Sequence, residues 1–342
     1  MRTSRLGSQG PEITRVGFGS WAVGGPWKFG WGPVDDDESV AAIRHAVESG
    51  VNWIDTAAVY GYGHSEEVVG RAIQPFAQGE DVLVFTKCGR SWYGRPPDVV
   101  ENDLRPDSIR FECEQSLRRL GVERIDLYQF HWPDHATGTP VEESWATMAA
   151  LQDEGKVRWL GVCNFDVELL ERCEAIRHVD SLQPPLSLLA RGARTSLVPW
   201  ARDHGIGVIT YSPLVSGLLS GTFDRARVER LHDTDWRKTS PLFQEPQLER
   251  NLELVERLRA IAVRLGTEVA PLAVAWVLAV PGVTGVIVGA RQPHHVDGWL
   301  PAADLRLSDE VLAEIEEAVR ETGAGSDEPP LLPPHLRPAT TS

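Results

Sequence analysis

The chain has 342 residues, 42% hydrophobic and 24% charged, an ordinary globular composition long enough for one large α/β barrel or for two or three smaller domains. Its formal charge of −15 argues against nucleic acid or an anionic membrane as partner, because both call for clustered Lys and Arg, and no apolar run approaches the roughly 20 residues of a membrane span. The opening stretch lacks the apolar core of a signal peptide, and Cys88, Cys113, Cys163 and Cys173 are scattered without metal-ligand spacing, so the expectation is a cytoplasmic protein with reduced thiols and no metal.

Along the chain, short apolar runs alternate with helix-like stretches. The runs are Val16–Phe18, Asn52–Ile54, Val82–Thr86, Ile125–Phe130, Arg158–Val162, Ser181–Gln183, Val208–Tyr211 and Gly285–Val288. Continuous apolar character over so few residues is what strands buried on both faces require. Asp35–Asp37 cap a helix that carries Val40, Ile43 and Val47 and stops at Gly50. "SEEVVG" starts the next, and Pro106 opens one that ends at Gly121. Thr139 to Glu142 reads as a capping box with proline at the first helical position. Asp166 caps a helix containing Leu169, Cys173 and Ile176, and Leu248 to Leu265 is a longer amphipathic helix. Eight strands alternating with helices predict a (β/α)8 TIM barrel. An N-terminal hairpin plugs its floor, and long loops sit at the C-terminal face. One domain is expected over residues 1–322, with a Pro/Gly-rich tail over 323–342 that is either disordered or an extended strap. The polar connection from Gly221 to Glu245 has the length of a lid or binding loop.

Chemistry in such a barrel sits where the strands end. The first strand is followed by Gly19, Ser20 and Trp21, the second by Asp55 and then Tyr60, the third by Lys87, and the fourth by His131 and Trp132. The fifth leads to Cys163 and Asn164, the sixth ends at Gln183, the seventh runs into Tyr211-Ser212-Pro213, and the eighth into Gly289-Ala290-Arg291. Taken singly, Asp55 is a turn cap, Tyr60 a packing residue, Lys87–Asp55 a structural ion pair and His131 a core histidine. Taken together they form an acid, a tyrosine, a lysine and a histidine converging from three consecutive strands. A lysine ammonium lowers the pKa of a nearby phenol, an aspartate keeps that lysine charged, and a histidine orients a carbonyl oxygen. The set protonates a developing alkoxide but supplies no electrons, so it needs a hydride donor. Asn164 and Gln183 stand where they would hold a nicotinamide carboxamide, and Tyr211 where it would stack on the ring. Twelve tryptophans suit either an aromatic-lined pocket or core packing. "GFGSWA" at 17–22 is not followed by a helix and fails as a dinucleotide-binding loop. The adjacent His294 and His295 lack further ligands at metal spacing.

Over about residues 3–320 the sequence resembles the aldo-keto reductase superfamily, in its bacterial, potassium-channel-β-subunit-like branch. The resemblance rests on "GVNWIDTAAVYGYGHSEEVVG", "QSLRRLGVERIDLYQFHWPD", "EGKVRWLGVCNF", "VITYSPLVSGLLSGTFD" and "VIVGARQPHHVDGW", in that order. It implies a (β/α)8 barrel that reduces a small-molecule carbonyl substrate with NADP(H), preferred here over a possible NAD(H). It also implies Asp55, Tyr60, Lys87 and His131 as catalytic residues, with Tyr60 the general acid. Gly19, Ser20, Trp21, Asp55, Cys163, Asn164, Gln183, Tyr211, Ser212, Pro213, Leu214, Gly217, Gly289, Arg291 and His295 are the implied cofactor contacts. Many members carry serine where Cys163 stands, and Glu-Asn where Gly298 and Trp299 stand. A ring of Trp299 stacked on adenine would replace those contacts. Trp27, Trp31, Trp92, Tyr93, Trp132 and Trp236 are the substrate-pocket candidates, suited to flat, hydrophobic or sugar-like carbonyls. Two rival readings keep the barrel: Lys87 as a Schiff-base nucleophile of an aldolase or lyase, and an NADPH-binding regulatory subunit.

Overall fold

The computed structural model describes residues 1–27, 30, 32–94, 99–231 and 235–327. Eight strands form its centre. They are β1 (Val16–Gly19), β2 (Trp53–Asp55), β3 (Leu83–Cys88), β4 (Ile125–Phe130), β5 (Val157–Cys163), β6 (Ser181–Gln183), β7 (Gly207–Thr210) and β8 (Val283–Gly289). They pair in parallel in chain order, and β8 closes onto β1. The architecture is the (β/α)8 barrel that the alternation of elements predicts. A hairpin of Thr3–Arg5 and Glu12–Thr14 lies at the N-terminal end, sending Leu6 and Ile13 into the barrel floor.

Alternation along each strand separates two environments. Phe18, Ile54, Val84, Tyr128, Leu160, Val162, Val208 and Val286 face the surrounding helices in one core. Trp53, Leu83, Phe85, Leu127, Ile209 and Ile287 face inward in a second, smaller core with Leu6 and Ile13. Trp53 dominates that interior and donates its indole N–H to Thr14 O at 2.8 Å. Glycines make room for it. A Cβ on Gly17 would fall 2.2 Å from the indole, and one on Gly285 would fall 3.0 Å from it.

Helix starts follow their caps with one correction, and one helix ends earlier than expected. Asp35 accepts from the amides of Asp37 and Glu38 and opens α1 (Asp36–Glu48). α2 (His64–Ile73) and α3 (Pro106–Leu120) follow, the latter ending on left-handed Gly121. The capping box expected at Thr139 does not form. α4 (Val141–Asp153) takes Pro140 as its N-cap, and Thr139 pairs with Thr137 instead, one residue too early to reach the helix. α5 (Val167–Glu174) is capped by Asp166 as expected but ends before Ile176, which is exposed. The long 221–245 connection carries its own short helix, Arg225–Glu229, and two 3-10 turns anchored by buried Phe223 and Phe243. Of the tail expected over 323–342, residues 323–327 run as a strap, and the rest lies outside the described residues. Ser326 bridges to Leu189 and Arg191 through the backbone, and Arg191 Nε donates to Asp327 at 2.9 Å. No single helix among the described residues is long and apolar enough to cross a membrane.

Candidate active site

β2 ends in buried Asp55, and the chain then turns sharply. Gly61, Tyr62 and Gly63 all have left-handed φ, at 61°, 57° and 103°. Gly61 is required there, since a Cβ would fall 1.9 Å from Gly24 O. The turn brings Tyr60 beside two other strand ends. Lys87 Nζ lies 5.3 Å from its ring centroid, and the His131 ring stands edge-on to it at 5.6 Å. Lys87 donates to Asp55 Oδ1 in a short buried ion pair and to Thr56 O at 2.8 Å. The four residues therefore converge at the C-terminal mouth of the barrel.

The electrostatics differ from the sequence expectation in one respect. Burial pushes the Tyr60 phenol up to about 12, outweighing the opposing pull of Lys87, and the Asp55 charge adds to the rise. The phenol is thus firmly protonated at neutral pH, not poised by the lysine. Burial works against the Lys87 ammonium, but Asp55, Tyr60 and Cys163 together hold its pKa above the ordinary value. Burial, reinforced by Lys87 and Arg90, holds His131 well below its ordinary value, so the imidazole is neutral. Among the described residues its Nδ1 has no hydrogen-bond partner.

A ring of amides surrounds this centre. Gln183 Nε2 donates to Asp55 Oδ2 at 2.9 Å and to Gln129 Oε1 at 3.2 Å. Gln129 Nε2 reaches the same Asp55 oxygen at 3.4 Å, and Cys163 Sγ approaches Gln129 Oε1 at 3.8 Å. Burial holds the Cys163 thiol protonated. Asn164, at a left-handed φ of 61°, donates to His131 O at 3.0 Å and accepts from the Tyr211 hydroxyl at 2.9 Å. Gly19 ends β1, where a Cβ would fall 2.6 Å from Ile287. Ser20 is buried and accepts from Ser65 Oγ at 2.8 Å, and half-buried Trp21 opens the 3-10 turn beyond it.

The expected cofactor residues of the last two strands lie together. From Ser212 through Pro213 and Leu214 to Gly217, the backbone is left-handed at Ser212, Val215, Ser216 and Gly217, with φ of 59°, 48°, 54° and 95°. Three of these are not glycine, a strain that persists only where the surroundings over-determine it. Arg237 of the long loop donates to Ser216 O at 3.2 Å. Beyond Gly289, burial and the neighbouring Arg237 and Arg227 lower the Arg291 pKa, while burial, His294 and Arg291 lower that of His295. Arg227, Arg237 and Arg291 thus lie within one another's fields, while His295 is left neutral, and Glu38 opposes both shifts. Trp299 does not join them. At 2% exposure it packs in the core, which leaves its ring almost no surface on which the expected adenine could stack.

Of the aromatic candidates, Trp27 lies 6.2 Å from the Tyr60 ring, and Trp92 stacks on Tyr93 at 4.3 Å. Trp132 is half-buried next to His131, Trp236 stands edge-on against Phe243 on the long loop, and Trp31 lies outside the described residues. Sequence reasoning passed over Gln129, a polar residue inside the apolar run "IDLYQF", and Glu66, which shares the inward face of α2 with Val69 and Ile73. In both cases a polar residue at an apolar position was the available signal. Among the described residues no cluster of His, Cys, Asp and Glu could hold a metal.

The sequence profile of the Aldo/keto reductase family matches residues 15–320. The aldo-keto reductase YhdN of Bacillus subtilis (strain 168) is 34% identical over 338 residues, spanning 98% of this chain and 99% of that one. The NADH-specific methylglyoxal reductase of Escherichia coli (strain K12) is 33% identical over 332 residues, spanning 93% and 99%. The solved structure of glycerol dehydrogenase AKR11B4 from Gluconobacter oxydans superposes with a TM-score of 0.85 at 37% identity, covering 95% of this chain and 97% of that one.

Proposed function

The chain belongs to the aldo/keto reductase family and is an NAD(P)H-dependent oxidoreductase, and from that premise we propose that it reduces an aldehyde or ketone to the alcohol with NADPH, Tyr60 being the proton donor. The observation that carries this reading is the convergence of a protonated phenol, a neutral imidazole and the buried Lys87–Asp55 pair. The nicotinamide, when bound, supplies the hydride to the carbonyl carbon. His131 holds the carbonyl oxygen with a neutral N–H, which orients it without competing as an acid. Tyr60 Oη gives its proton to that oxygen as negative charge develops there. Lys87, kept cationic by Asp55, stabilises the phenolate left behind.

Asn164, Gln183 and Tyr211 would hold the nicotinamide end, and the left-handed run from Ser212 to Gly217 would cradle the phosphates. The preference for NADPH is supported by Arg291, a guanidinium suited to the extra phosphate of that cofactor; of its charged neighbours, Arg237 is already paired with Asp235. The NADH-specific relative is the counter-case. The deciding experiment is a panel of aldehydes, ketones, sugars and keto-sugars, with consumption of NADPH and NADH followed in parallel. Faster turnover with NADH would reject the preference. Activity of Tyr60→Phe equal to wild type would reject the mechanism. The Schiff-base reading is disfavoured because a nucleophilic lysine must be neutral, whereas Lys87 is ion-paired and held charged. Turnover in the panel likewise separates an enzyme from a purely regulatory binder.

A further inference from the structure

Arg119 lies on α3, outside the barrel wall, yet its side chain is only 13% exposed. Two of its nitrogens, Nε and Nη2, stand 2.7 Å from Glu66 Oε2. Glu66 is fully buried, and its other oxygen accepts from Thr86 Oγ1 at 2.6 Å. Thr86 precedes Lys87 on β3, so the guanidinium is tied through one carboxylate to the strand that carries the lysine. The remaining arm points the other way. Nη1 donates to the Tyr93 hydroxyl at 2.7 Å, and the guanidinium carbon lies 5.8 Å from the Trp92 ring centroid. The stem of the side chain passes Gly63, where a Cβ would fall 2.7 Å from Arg119 Cδ. One side chain therefore touches the turn that carries Tyr60, the wall that carries Lys87, and the loop that carries Trp92 and Tyr93.

That loop completes a continuous row of half-buried rings starting at the proton donor. Tyr60 meets Trp27 at 6.2 Å, Trp27 meets Tyr62 at 5.8 Å, Tyr62 meets Trp92 at 6.0 Å, and Trp92 stacks on Tyr93. A lysine could neutralise Glu66, but it lacks the planar fork that grips a carboxylate and a phenol from opposite edges. We propose that Arg119 is a positioning residue that locks the Trp92–Tyr93 corner to the barrel. The wall so held selects carbonyl compounds whose carbonyl is borne on a flat aromatic group over small polar ones. This rests on the reductase reading above.

The test uses the full chain with NADPH and compares naphthaldehyde with methylglyoxal, for wild type, Arg119→Met, Arg119→Lys and Tyr93→Phe. Calorimetric binding of naphthamide, a planar amide that is not reduced, runs beside it. In Arg119→Met, KM for naphthaldehyde rises about tenfold, equivalent to about 1.4 kcal/mol, and the ratio of kcat/KM for naphthaldehyde over methylglyoxal falls by the same factor. Tyr93→Phe lowers that ratio by about threefold, the size of one lost hydrogen bond, and answers the question alone should Arg119→Met not fold. Arg119→Lys regains thermal stability but not the ratio. An unchanged ratio in Arg119→Met and Tyr93→Phe, or an equal loss on both aldehydes, overturns the proposal. If wild type reduces neither aldehyde with NADPH, naphthamide binding decides. Weaker binding to Arg119→Met supports the aromatic wall, whereas equal binding, or none to wild type, overturns it.

Discussion

Two layers inside the barrel lie two residues apart on the same strands and behave as different materials. Trp53, Phe85, Leu127 and Ile209 form an apolar filling. Asp55, Lys87, Gln129 and Tyr211, each the next inward position along, carry the polar site. The lower layer needs only volume and shape, because dispersion and water exclusion are not directional. The upper layer needs partners, since each buried polar atom left alone costs about 1–3 kcal/mol. Backbone geometry is common to both, so the chemistry of this barrel is decided by one pleat of each strand. The lower layer offsets the cost of burying an ion pair directly above it.

The sharpest way to separate the layers is to substitute one member of each. Tyr60→Phe lowers the rate of NADPH-dependent carbonyl reduction by roughly 100- to 10,000-fold, the range for loss of a positioned proton donor, while the melting temperature stays near wild type. Trp53→Ala does the reverse. It costs about 3–5 kcal/mol in urea unfolding, while kcat per folded molecule stays within a few-fold. A large loss of kcat there would show that the filling also positions the site.

The effect of pH is smaller and again divides the regions. Reduction needs Tyr60 protonated, and its pKa stands at about 12 in the free protein. The pH–rate profile for reduction is therefore level through neutral and mildly alkaline pH and falls only as pH climbs toward that value. Outside the barrel, burial, with Asp103 adding to it, raises the Glu112 carboxyl to about 8, although the Gly89 amide it accepts pulls the other way. The folded state thus holds this proton more tightly than the unfolded chain. The associated stability is full below the unfolded pKa near 4.3 and is lost as pH rises through about 8. Melting temperatures across pH 5 to about 9 should decline for wild type, and Glu112→Gln should lack that part of the decline. The smallest effect belongs to Cys163→Ser. Its thiol makes one long contact to Gln129, so the replacement shifts unfolding stability by about 0.5 kcal/mol, the low end for a single hydrogen bond.

Much of this could be read from the chain because buried parallel strands write their ends plainly. An apolar run broken by Asp55, Lys87 or His131 marks both the edge of the barrel and the start of its chemistry. Caps at Asp35 and Asp166 act over three residues and were equally legible. Features set by three-dimensional balance were not. The Tyr60 pKa depends on burial outweighing a lysine, and spacing alone gives only the lysine. Trp299 follows the cofactor motif in sequence, yet the turn after α-helical Pro293–Asp297 rotates it into the core. Arg119 looks like one of two arginines near a helix end until Glu66, 53 positions earlier, is seen against it.

Trp53 has a consequence for descent. Its indole occupies space that side chains on β1 and β8 would otherwise fill, which is why positions 17 and 285 are glycine. The three positions are physically coupled, since what each tolerates depends on the ring at 53. A lineage that first loses the indole passes through a cavity, and one that first gains a side chain at 17 passes through a collision, with a tighter but yielding contact at 285. Either single step is uphill, and only the combined change is level. The barrel seam is therefore an epistatic lock, held shut by the largest side chain in its floor.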